Sequence, residues 1–377
     1  MKKHIVILGA GFAGLELASR LSESLADEVD VTLIDQHDAF TFGFSKLDIL
    51  FGRTTPEAAR IPYGEIAKDG VEFRQERVVS IDPATRRVAT DKSSYDADIL
   101  VVALGANYDH AATPGFEDGG YEYYTVAGAE RLRDALPSFE SGTILIGILG
   151  QPYKCPPAPF EGALLLHDHL AGRGIRDATQ IRVIGPMAAP VPVTAEVSQA
   201  FLDALQARDI EFVGRNRVVE LDVERKRAVL ESGERVSYDM FVGIPIHRVP
   251  DVVVQAGLTV DGWVAVDRVN LMTPFLDVYG VGDIIDIPMA KAGVFAENAA
   301  GVVADDIAAH LHGTELEHGY EGEGNCYLEF GGGKVGKVEA NFLGGPSPRA
   351  RIDGPSEALA AEKVAFASTR RARWFGT

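Results

Sequence analysis

The sequence predicts an α/β protein whose first unit is a parallel sheet, and three observations in its opening residues carry that reading. His4-Ile5-Val6-Ile7-Leu8 is an apolar run of the length of a buried strand. Gly9-Ala10-Gly11-Phe12-Ala13-Gly14 follows it at once and leads into a helical pattern from Leu15 to Leu25. A second strand, Val29 to Ile34, then ends on Asp35. In that order the glycines permit a tight turn and the close approach of a pyrophosphate, the helix N-terminus offers free amides, and the acid suits a ribose hydroxyl. The segment is a dinucleotide fingerprint in its proper context. Gly9, Gly11, Phe12, Ala13, Gly14 and Asp35 are its candidate cofactor contacts.

The elements that follow extend the same architecture. Asp98 to Val102 is a further buried strand, ending in the turn Ala103-Leu104-Gly105. Thr143 to Leu149 and Gln180 to Ile184 are strands of a second unit. Val278-Tyr-Gly-Val-Gly282-Asp283 is another strand, ending in Gly-Asp. Lys291-Ala292-Gly-Val-Phe295 opens a helix of small residues that reaches about Leu311, and its dipole favours negative charge at its start. Gly331 to Gly333, between two strand-like stretches, predicts a hairpin turn, and Glu357 to Phe375 predicts a final helix.

Composition excludes several classes. A net charge of -19 over 377 residues leaves no concentrated basic face for nucleic acid. No apolar run approaches the ~20 residues that span a bilayer. The N-terminus enters a strand directly, without a signal-peptide pattern, so a cytoplasmic location is expected. The only two cysteines, Cys155 and Cys326, make no disulfide framework and show no metal-ligand spacing with histidines. His167 and His169 point to different helix faces, and no metal is expected. Cys155 lies in Gln151-Pro-Tyr-Lys-Cys-Pro-Pro-Ala-Pro-Phe-Glu161, where four prolines fix the backbone around one sulfur. Cys326 lies in Gly-Asn-Cys-Tyr-Leu-Glu-Phe330, reachable only through the fold. The second unit lacks a glycine fingerprint. Its strand runs instead into Gly150-Gln-Pro-Tyr-Lys-Cys155, and Gly185-Pro-Met-Ala-Ala-Pro-Val-Pro has too many prolines for a nucleotide turn, so NAD(P)H is disfavoured as substrate.

The Ala103–Gly105 and Gly282-Asp283 segments resemble the closing motifs of the FAD domain in two-dinucleotide-domain flavoproteins, which implies FAD as cofactor. Over its whole length the chain resembles the sulfide:quinone oxidoreductase and flavocytochrome c sulfide dehydrogenase group. The resemblance rests on the fingerprint, on Tyr-Lys-Cys155-Pro-Pro-Ala-Pro-Phe-Glu, on Lys291-Ala-Gly-Val-Phe-Ala-Glu, and on Cys326-Tyr-Leu-Glu-Phe with the later Glu-Ala-Asn-Phe. It implies two Rossmann-like dinucleotide-binding domains and a small C-terminal cap. The FAD domain is discontinuous, 1–108 with 239–312; the second domain is 109–238 and the cap 313–377. It also implies a redox pair in Cys155 and Cys326, a proton-moving carboxylate in Glu161, and FAD contacts from Ala103, Gly105, Gly282, Asp283, Lys291 and Ala292. Sulfide is then oxidised through the pair, with electrons passing by FAD to a quinone or similar acceptor.

Departures from the group matter as well. There is no third redox cysteine, which puts growth of a long polysulfide chain in doubt, and Ala39 to Leu50 holds no cysteine to tether the flavin, so FAD is expected to be noncovalent. Phe295, Tyr327, Phe330 and Phe342 are candidates for a quinone slot. Arg370-Arg-Ala-Arg-Trp374-Phe375 reads either as a peripheral membrane anchor or as a helix end docked on its own domain or on a second subunit of a homo-oligomer. A type II NADH dehydrogenase and a flavin-bound disulfide sensor are the alternative functions.

Overall fold

The computed structural model describes residues 2–376. Its first part forms β1 (Lys3–Leu8), α1 (Phe12–Leu25), β2 (Val29–Asp35), α2 (Ser45–Leu50), β3 (Val71–Gln75) and β4 (Ile99–Val102). A second run gives β5 (Gly120–Tyr121), β6 (Gly142–Ile148), α3 (Ala158–Gly172), β7 (Thr179–Ile184), β8 (Ile210–Val213) and β9 (Met240–Ile244). The third comprises β10 (Val278–Gly280), α4 (Gly293–His312), β11 (Glu323–Glu329), β12 (Val335–Asn341), β13 (Arg349–Ser356) and α5 (Ala358–Phe375).

β1 is central because four successive residues, Ile5 to Leu8, are buried on both faces, as a parallel strand between helical layers requires. It pairs with β2 from Lys3↔Val29 to Leu8↔Ile34 and with β4 from Ile5↔Ile99 to Leu8↔Val102, all parallel. The full order is β10-β4-β1-β2-β3. β10 therefore returns, after the whole second unit, to complete the sheet that holds the fingerprint. Its return aligns three glycine turns at one sheet edge: Gly9, Gly105 and Gly282 sit just beyond β1, β4 and β10, with φ of +102°, +64° and +83°. The crevice beyond the carboxyl ends of such strands is where α/β sheets bind ligands.

The second sheet, β5-β9-β6-β7-β8, is again all parallel, and because β9 (Met240–Ile244) pairs within it, the expected boundary at 238/239 is corrected: the second unit runs past residue 244 before the chain returns to the first sheet. α1 begins at Phe12 and not at Leu15, because Gly11 is already its N-cap and the fingerprint forms the first turn itself. The cap is an antiparallel sheet in which Cys326 on β11 faces Val338 on β12. The turn between these strands uses Gly331, Gly332 and Gly333, all with left-handed φ, a conformation that favours glycine.

α5 then crosses back onto the first unit. Trp374 and Phe375 are 0% and 1% exposed. The Trp374 ring sits among Phe12, Phe40 and Phe42, at centroid distances of 5.3, 5.6 and 6.0 Å. Its Nε1 donates to Glu16 on α1 (2.9 Å), which also accepts from Arg373 (2.8 Å). Arg370 pairs with Glu297 on α4 and Arg371 with Glu65. The reading of Trp374 and Phe375 as a membrane anchor is thus corrected: both rings lie in the core, and the cations beside them are held in ion pairs. Among the described residues no helix is long and apolar enough to cross a membrane.

Candidate active site

A cleft of about 380 Å³ opens beyond the carboxyl ends of β1, β4 and β10. Gly11, Phe12, Ala13 and Asp35 form one part of its wall, Ala103 and Gly105 another, and Gly282, Asp283 and Ala292 a third. Gly9 and Gly14 stand behind the wall and let it close. A Cβ on Gly9 would lie 2.4 Å from the Ala103 carbonyl oxygen, and one on Gly14 would lie 1.9 Å from that of Gly9. A Cβ on Gly11, in contrast, would meet nothing within 4 Å, which leaves open space before the first turn of α1. Lys291 faces a neighbouring cavity, where its Nζ donates to the carbonyls of Asp283 (2.8 Å) and Ile285 (3.1 Å) beneath the Trp263 ring.

These residues fit a flavin dinucleotide. No side chain caps the N-terminus of α1 or of α4, and neither first turn carries an acid, so both ends keep donors and positive dipole for an anion. Asp35 is pinned at the mouth by the amides of Ala10 and His37, both at 2.9 Å. The Asp283 carboxylate lines the cleft and has no hydrogen-bond partner among the described residues, as suits a group that receives sugar hydroxyls. Burial pushes its pKa up, against the pull of Lys154, Lys291 and Lys46.

Cys155, Cys326 and Glu161 line the same cleft. Cys155 has a φ of +49°, uncommon outside glycine. Its conformation is held from both sides: its amide donates to the Lys291 carbonyl (2.7 Å) and its carbonyl accepts from Ala158 (2.9 Å). Glu161 lies in the first turn of α3, with Oε2 3.9 Å from Cys155 Sγ and Oε1 accepting from the Glu329 amide (2.8 Å). Burial raises the Cys155 thiol well above its ordinary range, and the Glu161 and Cys326 charges raise it further. Burial and Glu161 push Cys326 up to about 12. Burial brings Glu161 up to about 7, while Lys363, the Glu329 amide and Arg53 hold it back.

The Glu161 shift has a definite sign in stability. A carboxyl raised from 4.5 to about 7 favours the folded state while it is neutral, and that contribution, fully present below about 4.5, is lost as pH rises through about 7. Glu161→Gln should remove the loss, on the order of 3 kcal/mol between the two limits. Thermal melts of the two proteins should then diverge in favour of Gln as pH rises from about 4.5 to about 7. Curves that keep a constant offset from pH 5 to pH 8 would contradict the assignment.

Several wall residues had no distinct signal in the sequence. Lys46, Phe44, Lys363 and Phe366 reach the cleft from α2, its approach and α5, and Lys154 arrives with the cysteine loop. Of the aromatic residues expected to form an acceptor slot, Tyr327 lines the cleft. Phe330 instead stacks on Phe201 (4.7 Å) inside the second unit, and Phe295 packs edge-on against Phe342 (5.2 Å). No group of His, Cys, Asp and Glu side chains suited to a metal occurs among the described residues.

Residues 3–148 match the family described as pyridine nucleotide-disulphide oxidoreductase. A mitochondrial sulfide:quinone oxidoreductase of Dictyostelium discoideum is 23% identical over 351 residues, covering 90% of this chain and 77% of that protein. A type II NADH:quinone oxidoreductase of Staphylococcus aureus is 26% identical over 357 residues, covering 84% of each. The crystal structure of the sulfide:quinone oxidoreductase from Aquifex aeolicus superposes with a TM-score of 0.89 at 23% identity, over 98% of this chain and 92% of that one. The last comparison bears out the fold: α/β, with two Rossmann-like parallel-sheet cores. Together with the cleft and its fingerprint, these matches make the chain a flavin-dependent oxidoreductase similar to the sulfide:quinone oxidoreductases, with the pyridine nucleotide-disulphide match confined to its first 148 residues.

Proposed function

We propose that the protein oxidises sulfide through Cys155 and Cys326 and delivers the electrons to a quinone or similar acceptor. The observation that carries this reading is that the only two thiols of the chain, far apart in sequence, line one cleft with Glu161 and the dinucleotide fingerprint. In the oxidised protein the two sulfurs form a disulfide or a sulfur-bridged link. HS⁻ attacks one sulfur of the link, so that one S–S bond forms as another breaks, and a cysteine thiolate leaves. Glu161, 3.9 Å from Cys155 Sγ, is placed to exchange a proton with that thiolate. FAD, when bound, accepts the two electrons released as the link re-forms. The role of the proline-rich loop is to hold Cys155 at one depth in the cleft.

A second reading is NADH oxidation, which the Staphylococcus relative's name raises. It is disfavoured because β6 leads into the proline-bearing loop Gly150-Gln-Pro-Tyr-Lys-Cys155, where a phosphate-binding glycine turn would otherwise begin. Anaerobic mixing with each reductant separates the two. Rapid flavin bleaching by sulfide and not by NADH is expected; the reverse would overturn the proposal.

We further assign noncovalent FAD to Gly9, Gly11, Phe12, Ala13, Gly14, Asp35, Ala103, Gly105, Gly282, Asp283, Lys291 and Ala292, because both cysteines are committed to the sulfur pair. Acid or heat should release the yellow colour from the polypeptide. Asp283→Ala should weaken FAD binding by roughly 1.5–3 kcal/mol, about ten- to a hundredfold, through loss of a charge-assisted hydrogen bond. Equal affinity in titrations of the apoprotein would remove Asp283 from the site. A lipid-soluble acceptor would suit a peripheral position on the cytoplasmic face of a membrane.

A further inference from the structure

We propose that Lys363, carried into the site on α5, is a positioning residue for the sulfur chemistry: with Arg53 it clamps Glu329, whose main chain turns Glu161 toward Cys155. The proposal rests on the reading of Cys155 and Cys326 as the reacting pair. Lys363 Nζ lies 2.5 Å from Glu329 Oε1, and both side chains are buried. Arg53, just beyond α2, reaches the same oxygen at 3.2 Å and is itself held by Asp48 at 2.8 Å. Glu329 is the last residue of β11, the strand that carries Cys326, and its amide donates to Glu161 Oε1 at 2.8 Å. That bond occupies one oxygen of Glu161 and leaves Oε2 toward Cys155 Sγ. Two separate elements thus converge on one buried carboxylate carried by a third, and removing a partner from such a pair leaves an uncompensated charge.

The groups that face Glu161 come from every side. They are Cys155 on its loop, Tyr123 before the second sheet's first helix, Cys326 and Glu329 on β11, Lys363 on α5, and Arg53 beyond α2. Lys363 and Arg53 are the two cations among them, and both favour the ionised carboxylate against burial. Without Lys363, Glu161 keeps its proton to higher pH and loses the fixed amide that aims it.

The test uses FAD-loaded Cys326→Ser protein, in which Cys155 is the single thiol, and follows alkylation by iodoacetamide against pH by mass spectrometry. This readout requires neither sulfide nor an acceptor. Ionised Glu161, 3.9 Å from Sγ, takes the thiol proton as the sulfur is alkylated, an effect opposite to its field on the thiolate, so the parent should show a rate that rises through an inflection near neutral pH, and Glu161→Gln should abolish it. Lys363→Met should move the inflection up by about one unit, so that the rate at pH 7 falls about fivefold. Lys363→Arg should restore the parent profile, and Arg53→Gln, which leaves α5 untouched, should shift it in the same direction as Lys363→Met. Superimposable profiles for the parent, Lys363→Met and Arg53→Gln would overturn the proposal. An equal shift in Lys363→Arg would do so too, by showing that cation charge is irrelevant. If sulfide fails to bleach the unmodified protein, the functional reading falls while the alkylation profiles still decide the role of Lys363.

Discussion

Cys155→Ser and Cys326→Ser should each yield a folded, yellow protein whose bleaching by sulfide is slower by at least ~10³-fold, the behaviour of two groups that act as one unit. Each change replaces sulfur by oxygen at nearly constant volume, so packing is preserved. Cys326 sits in a regular antiparallel pair with Val338, and the loop around Cys155 is fixed by main-chain bonds to Lys291 and Ala158 that a serine retains. Under the proposed function, each variant lacks the S–S bond and with it the electrophile that HS⁻ attacks. The measurement is anaerobic stopped-flow bleaching with sulfide, alongside FAD content as a check on folding. Wild-type bleaching in either variant would show that the pair is not the relay.

Removal of residues 370–376 should cost the protein its FAD or its fold. Truncating a buried Trp or Phe typically costs 3–5 kcal/mol, and here both Trp374 and Phe375 would go. The loss would also strip Glu16, 2% exposed, of its bonds to Trp374 and Arg373, leaving Arg20 as its remaining partner. The sum is comparable to the whole stability of a typical domain. Trp374→Ala alone should lower the melting temperature and loosen FAD, because the aromatic nest it fills includes Phe12 and Phe40 on the cleft wall. A truncated protein that kept its FAD and melting temperature but no longer sedimented with vesicles would restore the interfacial role that burial of these rings argues against.

What could be read in advance was what is local in the chain. Gly9 to Gly14, Gly282-Asp283 and the proline-flanked Cys155 each carry their meaning within a few residues, since a turn or a rigid loop is specified by its own backbone. The carboxylate cluster was not legible in the same way. Glu329, Lys363 and Arg53 stand on three elements and look like ordinary surface charges until the fold superposes them. The same holds for the aromatic residues. Phe44 and Phe366 reach the cleft while Phe330 and Phe295 are absorbed by packing, a choice made by tertiary contacts. The Arg-Arg-Ala-Arg-Trp-Phe end was ambiguous for a related reason. Cations beside aromatics suit a lipid headgroup or an acidic helix equally, and the acid that decides, Glu16, lies at the other end of the chain.

The three lysines around Asp283 set a local field opposite in sign to the charge of the whole chain. The chain as a whole carries -19, while Lys46, Lys154 and Lys291 surround one carboxylate at the base of the cleft. The field of the whole chain is screened by salt over about 10 Å, whereas the buried cations act at short range and are screened far less. The floor of the cleft therefore favours the conjugate base of a weak acid. For the proposed substrate this amounts to retention of HS⁻ at the depth where a nucleophile is needed.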